Sequence, residues 1–284
     1  MRKLIGGMSA GITAVALFVG VAAAVNGPMG FDPIAGSAYG QASDTWTEPF
    51  VVPEGFTQTL VKDEITFDIY PGVDDLTDMN TVNENGIRAG RFLYRTHEVG
   101  LNGAVSVVDL ETGGAEVIAQ DTQAPTYRRL DGLRWTPWGT VLFAEETTGG
   151  RLFEIFLDPA DPTEAVTVET RPEVGILRHE GIEALANGTV FVIDELNGGS
   201  IYKFVPTNRG DLSDGQLYAL KITGLSDAAQ KWDEDTFEDK VGAFEWVPLD
   251  MDQVVVDADA ASNAVNATEF GRPEDIEKIG RVLY

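Results

Sequence analysis

The stretch that decides the fold is Arg178-His179-Glu180-Gly181-Ile182, which leads into Asn187-Gly188-Thr189-Val190-Phe191-Val192-Ile193-Asp194-Glu195. The same order of an acid, a glycine turn, a β-rich run and an acid pair occurs 49 positions earlier, from Arg129-Leu130-Asp131-Gly132-Leu133 to Gly139-Thr140-Val141-Leu142-Phe143-Ala144-Glu145-Glu146. A third copy begins 94 positions later, at Arg272-Pro273-Glu274-Asp275-Ile276. Repeats of about 40–50 residues built from short strands predict an all-β fold, a β-propeller or a similar array.

The repeat places acids at corresponding positions. In a propeller, such positions lie at the same radius and height around one central channel. Asp131, Glu180 and Glu274 share one position, and a second acidic position follows the next strand, as Glu145-Glu146 in one copy and Asp194-Glu195 in the other. Carboxylates held together repel one another unless protons or cations compensate. The pattern predicts a metal site with oxygen ligands, which suit Ca²⁺ first, with Mg²⁺, Mn²⁺ or iron as alternatives. The competing interpretation is a set of solvated turn acids in an acidic protein.

Composition limits the classes of function. A length of 284 residues allows one large all-β domain, which we place at residues 43–284, and 43% hydrophobic residues suffice for its core. The chain has no cysteine, so disulfides and thiolate metal sites are excluded. A formal charge of −26 argues against nucleic-acid binding, because such a protein repels phosphate backbones.

Residues 1–42 are predicted to be an export segment. Arg2 and Lys3 precede an apolar run over residues 4–25, and small residues at 38–42 offer a cleavage site. The run is long enough to span a bilayer, so an uncleaved N-terminal anchor is the alternative to a signal peptide. No other segment is expected to cross a membrane. The expected location is periplasmic or extracellular.

Short strands are predicted along the rest of the chain from β-rich runs bounded by glycine and polar turns. They fall at Phe50–Val52, Ile65–Tyr70, Arg91–Glu98, Gly103–Asp109, Ala115–Ala119, Gly150–Phe156, Gly199–Val205 and Gln216–Ile222, with a strand or turn at Glu245–Leu249. Residues 226–240 are predicted to be helical or irregular, and residues 257–267 to be helical.

The motifs together resemble the PhoX-type bacterial alkaline phosphatases, over about residues 85–284. The resemblance depends on several motifs in order: Thr96-His97-Glu98, Thr136-Pro137-Trp138-Gly139-Thr140 with Glu145-Glu146, Gly175 to Glu180, Ile201-Tyr202-Lys203-Phe204, Gly215 to Leu220, and Ala267 to Glu274. The resemblance implies a propeller of about six blades, with iron and calcium ions in the channel, that cleaves small phosphate esters. It also implies that the chain is part of a longer protein, since the third copy has only begun at Tyr284.

The resemblance also suggests roles for individual residues. Glu180 and Glu274 match iron-binding glutamates, and Glu145 and Glu146 match the acidic block on the calcium side. Arg272 matches an arginine that contacts the substrate phosphate. The remaining acids of the repeat, Glu98, Asp194 and Glu195, complete the predicted metal ligands.

The sequence departs from the family at two places. The family's iron-binding cysteine falls at Asp131, and a carboxylate there favours harder metals than a two-iron cluster, so Ca²⁺ is the first expectation and Fe³⁺ the second. The family's twin-arginine export signal is missing.

Several alternatives stay open at this stage. A calcium-dependent lactonase-like hydrolase and a non-catalytic, Ca²⁺-stabilised binding propeller are the rival functions, because fold does not fix function. Arg129 and Arg178 share the repeat position of Arg272, and either contact phosphate or pair with neighbouring acids. His97 and His179 are interpreted as orienting or packing residues rather than catalytic ones.

Overall fold

The computed structural model describes residues 52, 56–63, 66–73, 75–123, 125–233 and 240–284. The chain divides into two compact units, Met1–Leu60 and Val61–Tyr284. The predicted export segment, residues 1–42, lies outside the described residues, and so does most of the strand predicted at Phe50–Val52. Within the described ranges, no helix is both long and apolar enough to cross a membrane.

Three antiparallel sheets make up most of the second unit. The first has the order β1 (Asn80–Val82), β2 (Phe92–His97), β3 (Ala104–Asp109) and β4 (Ala115–Gln120). The second has the order β5 (Leu130–Trp135), β6 (Thr140–Glu145), β7 (Leu152–Asp158) and β8 (Asp161–Thr170). The third contains β9 (His179–Ala184), β10 (Val190–Asp194), β12 (Ile201–Pro206), β13 (Gly215–Ile222) and β14 (Phe244–Pro248). Each sheet is a meander, in which nearly all neighbouring strands also follow one another along the chain.

Shorter elements fill the connections. A 3-10 helix (Pro172–Val174) precedes the third sheet, and β11 (Asn197–Gly199) pairs with β15 (Phe270–Gly271). The short helices are α1 (Asp227–Gln230), α2 (Met251–Val254) and α3 (Ala258–Ala264). The described chain ends with the hairpin of β16 (Lys278–Ile279) and β17 (Val282–Leu283).

The all-β prediction is confirmed, and so are the strands predicted between residues 91 and 249. The strand predicted at Ile65–Tyr70 is wrong over its described residues 66–70. The Asp63 side chain accepts a hydrogen bond from the backbone N–H of Thr66 at 2.9 Å, and this local turn replaces a ladder. The ten-residue strand β8 was not predicted. The three sheets do not close on themselves, so the propeller stays a prediction.

The two complete sequence repeats fold alike. Gly139 joins β5 to β6 and Gly188 joins β9 to β10, with φ values of 89° and 94° that favour glycine. In both repeats the N–H of the second acid then donates to the carbonyl of the repeat arginine, from Glu146 to Arg129 at 2.7 Å and from Glu195 to Arg178 at 2.9 Å. The end of the second strand is therefore tied to the start of the first.

Glycines after the repeat acids let neighbouring sheets approach closely. A Cβ atom at Gly132 would lie 2.2 Å from the carbonyl oxygen of Glu180, and one at Gly181 would lie 2.4 Å from the backbone nitrogen of Ile276. Strand β5 also contacts β2, and the Thr96 hydroxyl donates to the carbonyl of Asp131 at 2.9 Å. The first strand of the second sheet therefore lies against the second strand of the first sheet.

Apolar side chains fill the space between the sheets. Phe92, Tyr94, Phe143 and Phe153 belong to a buried cluster of the first and second sheets. A second cluster joins the second and third sheets and the short helices through Leu142, Leu152, Ile182, Val190, Tyr202 and Ala261. These two cores hold the ends of the repeat strands in place.

We expect Gly132→Ala to lower the free energy of unfolding by about 1–3 kcal/mol or more, because overpacking against backbone cannot be relieved by a side-chain rotation. Denaturant unfolding followed by circular dichroism measures this change. Gly100→Ala is the matched control, since a Cβ there meets no atom within 4 Å. Equal stability of the two variants would contradict the close approach of β5 and β9.

Candidate metal centre

Two groups of three carboxylates lie close enough to hold cations. The first group is Asp78, Glu98 and Asp131, and the second group is Glu146, Glu180 and Glu195. Within each group, one carboxylate oxygen from every residue lies within 4.8 Å of the others. Carboxylate oxygens in such sets are the ligands that hard divalent cations prefer.

The repeat explains how most of these acids come together. Asp131 lies in β5 and Glu180 in β9, the first strands of the two repeats. Glu146 and Glu195 each follow the last residue of the next strand. Glu98 follows β2 in the first sheet, so corresponding ends of all three sheets contribute.

A hydrogen bond between Asp131 and Glu180 joins the two groups. Two ionised carboxylates cannot share a hydrogen bond, so one of the pair holds a proton in this arrangement. Burial, followed by the charge of nearby carboxylates, raises the pKa of both side chains well above the usual carboxyl range. Burial and a hydrogen bond to Glu146 also raise the pKa of Glu195.

Three arginines at the shared repeat position pair with the acid groups. Arg129 Nη1 donates to Glu98 at 2.8 Å. Arg178 donates to Glu146 from Nε at 3.1 Å and from Nη2, and its Nη2 lies 3.0 Å from Glu195. Arg272 donates to Glu195 from Nε at 2.9 Å and from Nη2. Each arginine therefore reaches an acid that follows a strand of the preceding sheet.

The residues present fit a bound cation. In the described part of the chain, the two groups contain six carboxylates, and the three arginines contact only Glu98, Glu146 and Glu195 among them. The carboxylates of the groups therefore outnumber these arginines two to one. Asp131 Oδ1 is buried and has no hydrogen-bond partner among the described residues. A buried carboxylate oxygen without a donor is costly, and a cation would satisfy it.

Glu145 lies outside both groups, although the sequence named it as a ligand. It is fully buried, and Arg151 holds both of its oxygens, with Nη2 at 2.7 Å from Oε1 and Nε at 2.8 Å from Oε2. The backbone N–H groups of Arg128 and Arg151 also donate to Glu145. These contacts are those of a buried structural ion pair.

Asp194 and Glu274, also named as ligands, lie outside the groups as well. Asp194 is buried, and its Oδ1 accepts from the Arg178 N–H at 3.2 Å, while burial raises the pKa of its carboxyl to about 8. Glu274 is 62% exposed and lies 3.5 Å from Arg272. The role of Glu274 as a ligand stays a prediction. The third repeat breaks the pattern, since Asp275 replaces the glycine that follows the acid in the other copies.

Arg272, the predicted phosphate contact, lies at the solvent-exposed edge of the second acid group, which we call the rim. Its side chain is 54% exposed. Its backbone lies in the left-handed region, with φ 53°. Arg129, at the corresponding repeat position, has φ 43°. Residues with side chains are uncommon in this region and occur where the surrounding structure requires it.

Sequence reasoning missed Asp78. It lies before β1, outside every copy of the repeat, so no spacing pointed to it. The N–H of Glu98 donates to the carbonyl of Leu76 at 2.8 Å, and this contact brings residue 78 next to Glu98. A non-local backbone pairing of this kind has no signal in the sequence.

Both histidines are buried. Among the described residues, neither forms a hydrogen bond with any of the six carboxylates. His179 Nε2 donates to the carbonyl of Gly175 at 3.0 Å, and burial lowers the pKa of His179 to about 4. His97 Nε2 lies 2.8 Å from the hydroxyl of Ser106, and its Nδ1 contacts Asp75. These contacts support packing roles.

We expect Glu180→Gln to stabilise the metal-free protein at alkaline pH. The folded state keeps a proton on the Asp131–Glu180 pair that the unfolded chain releases above the ordinary Glu pKa of 4.5, so wild-type stability falls as pH rises. The neutral amide avoids this loss and keeps a hydrogen bond to Asp131. Thermal unfolding with EDTA at pH 8 should show a midpoint higher by about 2–4 °C, the shift that 1 kcal/mol produces in a large domain.

The exposed Glu116→Gln is the matched control and should follow the wild-type pH dependence. At pH 4.5 the midpoints of all three proteins should nearly coincide. A wild-type midpoint that rises between pH 5 and 8 in EDTA would contradict the shared proton.

Comparisons with known proteins give one match. Residues 148–284 match the family model described as alkaline phosphatase PhoX, a region that includes Arg178, Glu180, Glu195 and Arg272. No curated protein and no solved structure matches the chain. The resemblance found in the sequence is thereby confirmed over residues 148–284.

Proposed function

We propose that this chain belongs to an exported, metal-dependent phosphatase that hydrolyses small phosphate esters in the channel of a β-propeller. The observation that carries the proposal is the pair of acid groups joined by the Asp131–Glu180 hydrogen bond and rimmed by arginines. The family match supports the phosphatase assignment. Export, a periplasmic or extracellular location and propeller closure are part of the proposal.

The residues divide into two roles. The three members of each acid group hold a cation, and Arg272 holds the anionic substrate. When bound, such cations offset the negative charge of a phosphoryl group and polarise its oxygens. A bound cation would supply the compensating charge that the proton supplies in the Asp131–Glu180 pair.

Oxygen donors alone favour calcium. Both groups consist of Asp and Glu, and the chain has no cysteine that would select a softer metal. Asp131 stands where the family has its iron-binding cysteine. We therefore propose Ca²⁺ in both groups, with Fe³⁺ as the alternative in the group that contains Glu180.

Arg272 is proposed to bind the substrate phosphate. Its guanidinium donates to Glu195 from two nitrogens, and about half of the Arg272 side chain is exposed to solvent. A planar guanidinium binds two phosphate oxygens as readily as it binds a carboxylate. With a cation bound at Glu195, the guanidinium donors of Arg272 would be available to the substrate phosphate.

Calcium should stabilise the folded protein. At a concentration 100 times the dissociation constant, one bound ion adds about 2.7 kcal/mol, or roughly 5–10 °C in the unfolding midpoint. Thermal unfolding after EDTA treatment, with and without added Ca²⁺, measures the shift. Glu195→Gln should lose the part of the shift that comes from the second group, and Glu116→Gln should keep the whole shift. An unchanged shift in Glu195→Gln would exclude the second group as the binding site.

Metal-loaded protein should release phosphate from a chromogenic phosphate monoester. Glu180→Gln and Arg272→Gln should each lower kcat/KM at least about tenfold, because one loses a cation ligand and the other a charge-assisted hydrogen bond. The exposed Arg209→Gln is the matched control. Absence of turnover in loaded protein, or normal turnover in Glu180→Gln, would contradict the proposal.

A calcium-dependent lactonase is the second candidate. The calcium site of such an enzyme also uses carboxylate ligands, and both acid groups of this chain consist of carboxylates alone. Such an enzyme needs no phosphate-binding arginine. Parallel assays with a lactone and a phosphate monoester separate the two. Hydrolysis of the lactone that is insensitive to Arg272→Gln would favour the lactonase. Calcium binding without hydrolysis of either substrate would favour a binding protein.

A further inference from the structure

A polar cavity of about 260 Å³ lies beside the second acid group. Its lining consists of Arg129, Glu146, Thr147, Thr148 and Arg178. The cavity has room for several groups of the size of a water molecule, which occupies about 30 Å³. Four of its five lining side chains are hydrogen-bond donors, and two of those are cationic.

The arginines keep donors that face no acid. Arg129 uses Nη1 for Glu98, and its Nε and Nη2 have no hydrogen-bond partner among the described residues. Arg178 uses Nε and Nη2 for its acids, and its Nη1 has no such partner in the described part of the chain. The side chain of Arg129 is more than half exposed and that of Arg178 is about one third exposed. Both are therefore accessible to a ligand.

The two arginines belong to different acid groups. Arg129 pairs with Glu98 of the first group, and Arg178 pairs with Glu146 and Glu195 of the second. They reach one cavity because they occupy the same position in successive repeats, which lie side by side. A ligand in this cavity contacts the arginine of each group at once.

Hydroxyl groups complete the donor set. Thr147 and Thr148 lie in the turn between β6 and β7, where the N–H of Gly150 donates to the carbonyl of Thr147 at 2.8 Å. Thr148 is exposed, and Thr147 is half-buried. Guanidinium and hydroxyl donors in one cavity favour a tetrahedral oxyanion, whose oxygens accept several hydrogen bonds.

We propose that this cavity binds phosphate oxygens through Arg129 and Arg178, assisted by the hydroxyl of Thr148. The inference deepens the proposed function and rests on it for the identity of the anion. The family resemblance assigns phosphate contact to Arg272 alone, and Arg272 does not line this cavity. Arg129 and Arg178 are therefore two further binding residues. In their own copies of the repeat they occupy the position that Arg272 occupies in the third copy.

The negative charge of the acid groups requires that phosphate binding be tested with calcium bound. Glu146 lines the cavity, and the carboxylates of the two groups outnumber the arginines, so an anion is repelled until cations fill the groups. Inorganic phosphate is therefore titrated into the Ca²⁺-loaded whole chain by isothermal calorimetry. The salt concentration is kept constant, because exposed charges are screened.

Arg129→Gln should weaken phosphate binding about tenfold or more, the loss expected for a charge-assisted hydrogen bond. Thr148→Val should weaken it by a smaller factor of about two to five. Arg209→Gln, exposed and remote in sequence from the cavity, should bind phosphate like the wild type. Circular dichroism and calcium titration of each variant show that its fold and acid groups are kept.

Wild-type affinity for phosphate in both Arg129→Gln and Thr148→Val would overturn the inference, and so would absence of phosphate binding by the loaded wild type. If Arg129→Gln does not fold, Thr148→Val decides alone, since an exposed threonine contributes little to stability. Weakened phosphate binding without turnover of a monoester would support the cavity and sink the phosphatase. Turnover with unaltered phosphate binding by the variants would keep the phosphatase and sink the cavity.

Discussion

The constraint on which the structure depends is the close approach of β5 and β9 at Gly132. The position of a Cβ atom there is occupied by the carbonyl oxygen of Glu180, so only glycine allows the contact. The approach brings Asp131 and Glu180 within hydrogen-bond distance and thereby joins two groups of acids. Like charges at this distance are unfavourable by themselves. The fold accepts this local cost because the apolar clusters on both sides fix the strands.

Arginine pairing across sheets is the second organising feature. Arg129, Arg178 and Arg272 each reach an acid of the preceding sheet, so the same contact is made three times. These pairs offset part of the repulsion among the carboxylates and hold the guanidiniums at the rim. In the proposed function, this arrangement would link two roles of one position, since a cation bound to the acid would free the arginine to bind an anion.

Not every acid of the repeat has the same role. Glu145 and Glu146 are neighbours in sequence, but Glu145 points into a buried pair with Arg151, while Glu146 joins the second acid group. Successive residues of a strand face opposite sides, so only one of an adjacent pair can face the metal centre. The same alternation separates Asp194 from Glu195.

The sequence by itself determined the repeat and the all-β class, because an acid, a glycine and a strand recur at a fixed spacing. Its ordered motifs also gave the resemblance to the PhoX family, which the family model matches over residues 148–284. It also named Glu98, Asp131, Glu146, Glu180 and Glu195, the five repeat-related acids of the two groups. Only the tertiary structure decided that Glu145 is an ion-pair partner, that Glu274 is exposed at the rim, and that Asp78 completes the first group. The physical reason is that periodicity fixes which positions are equivalent, whereas side-chain partners and non-local backbone pairings depend on how neighbouring sheets pack.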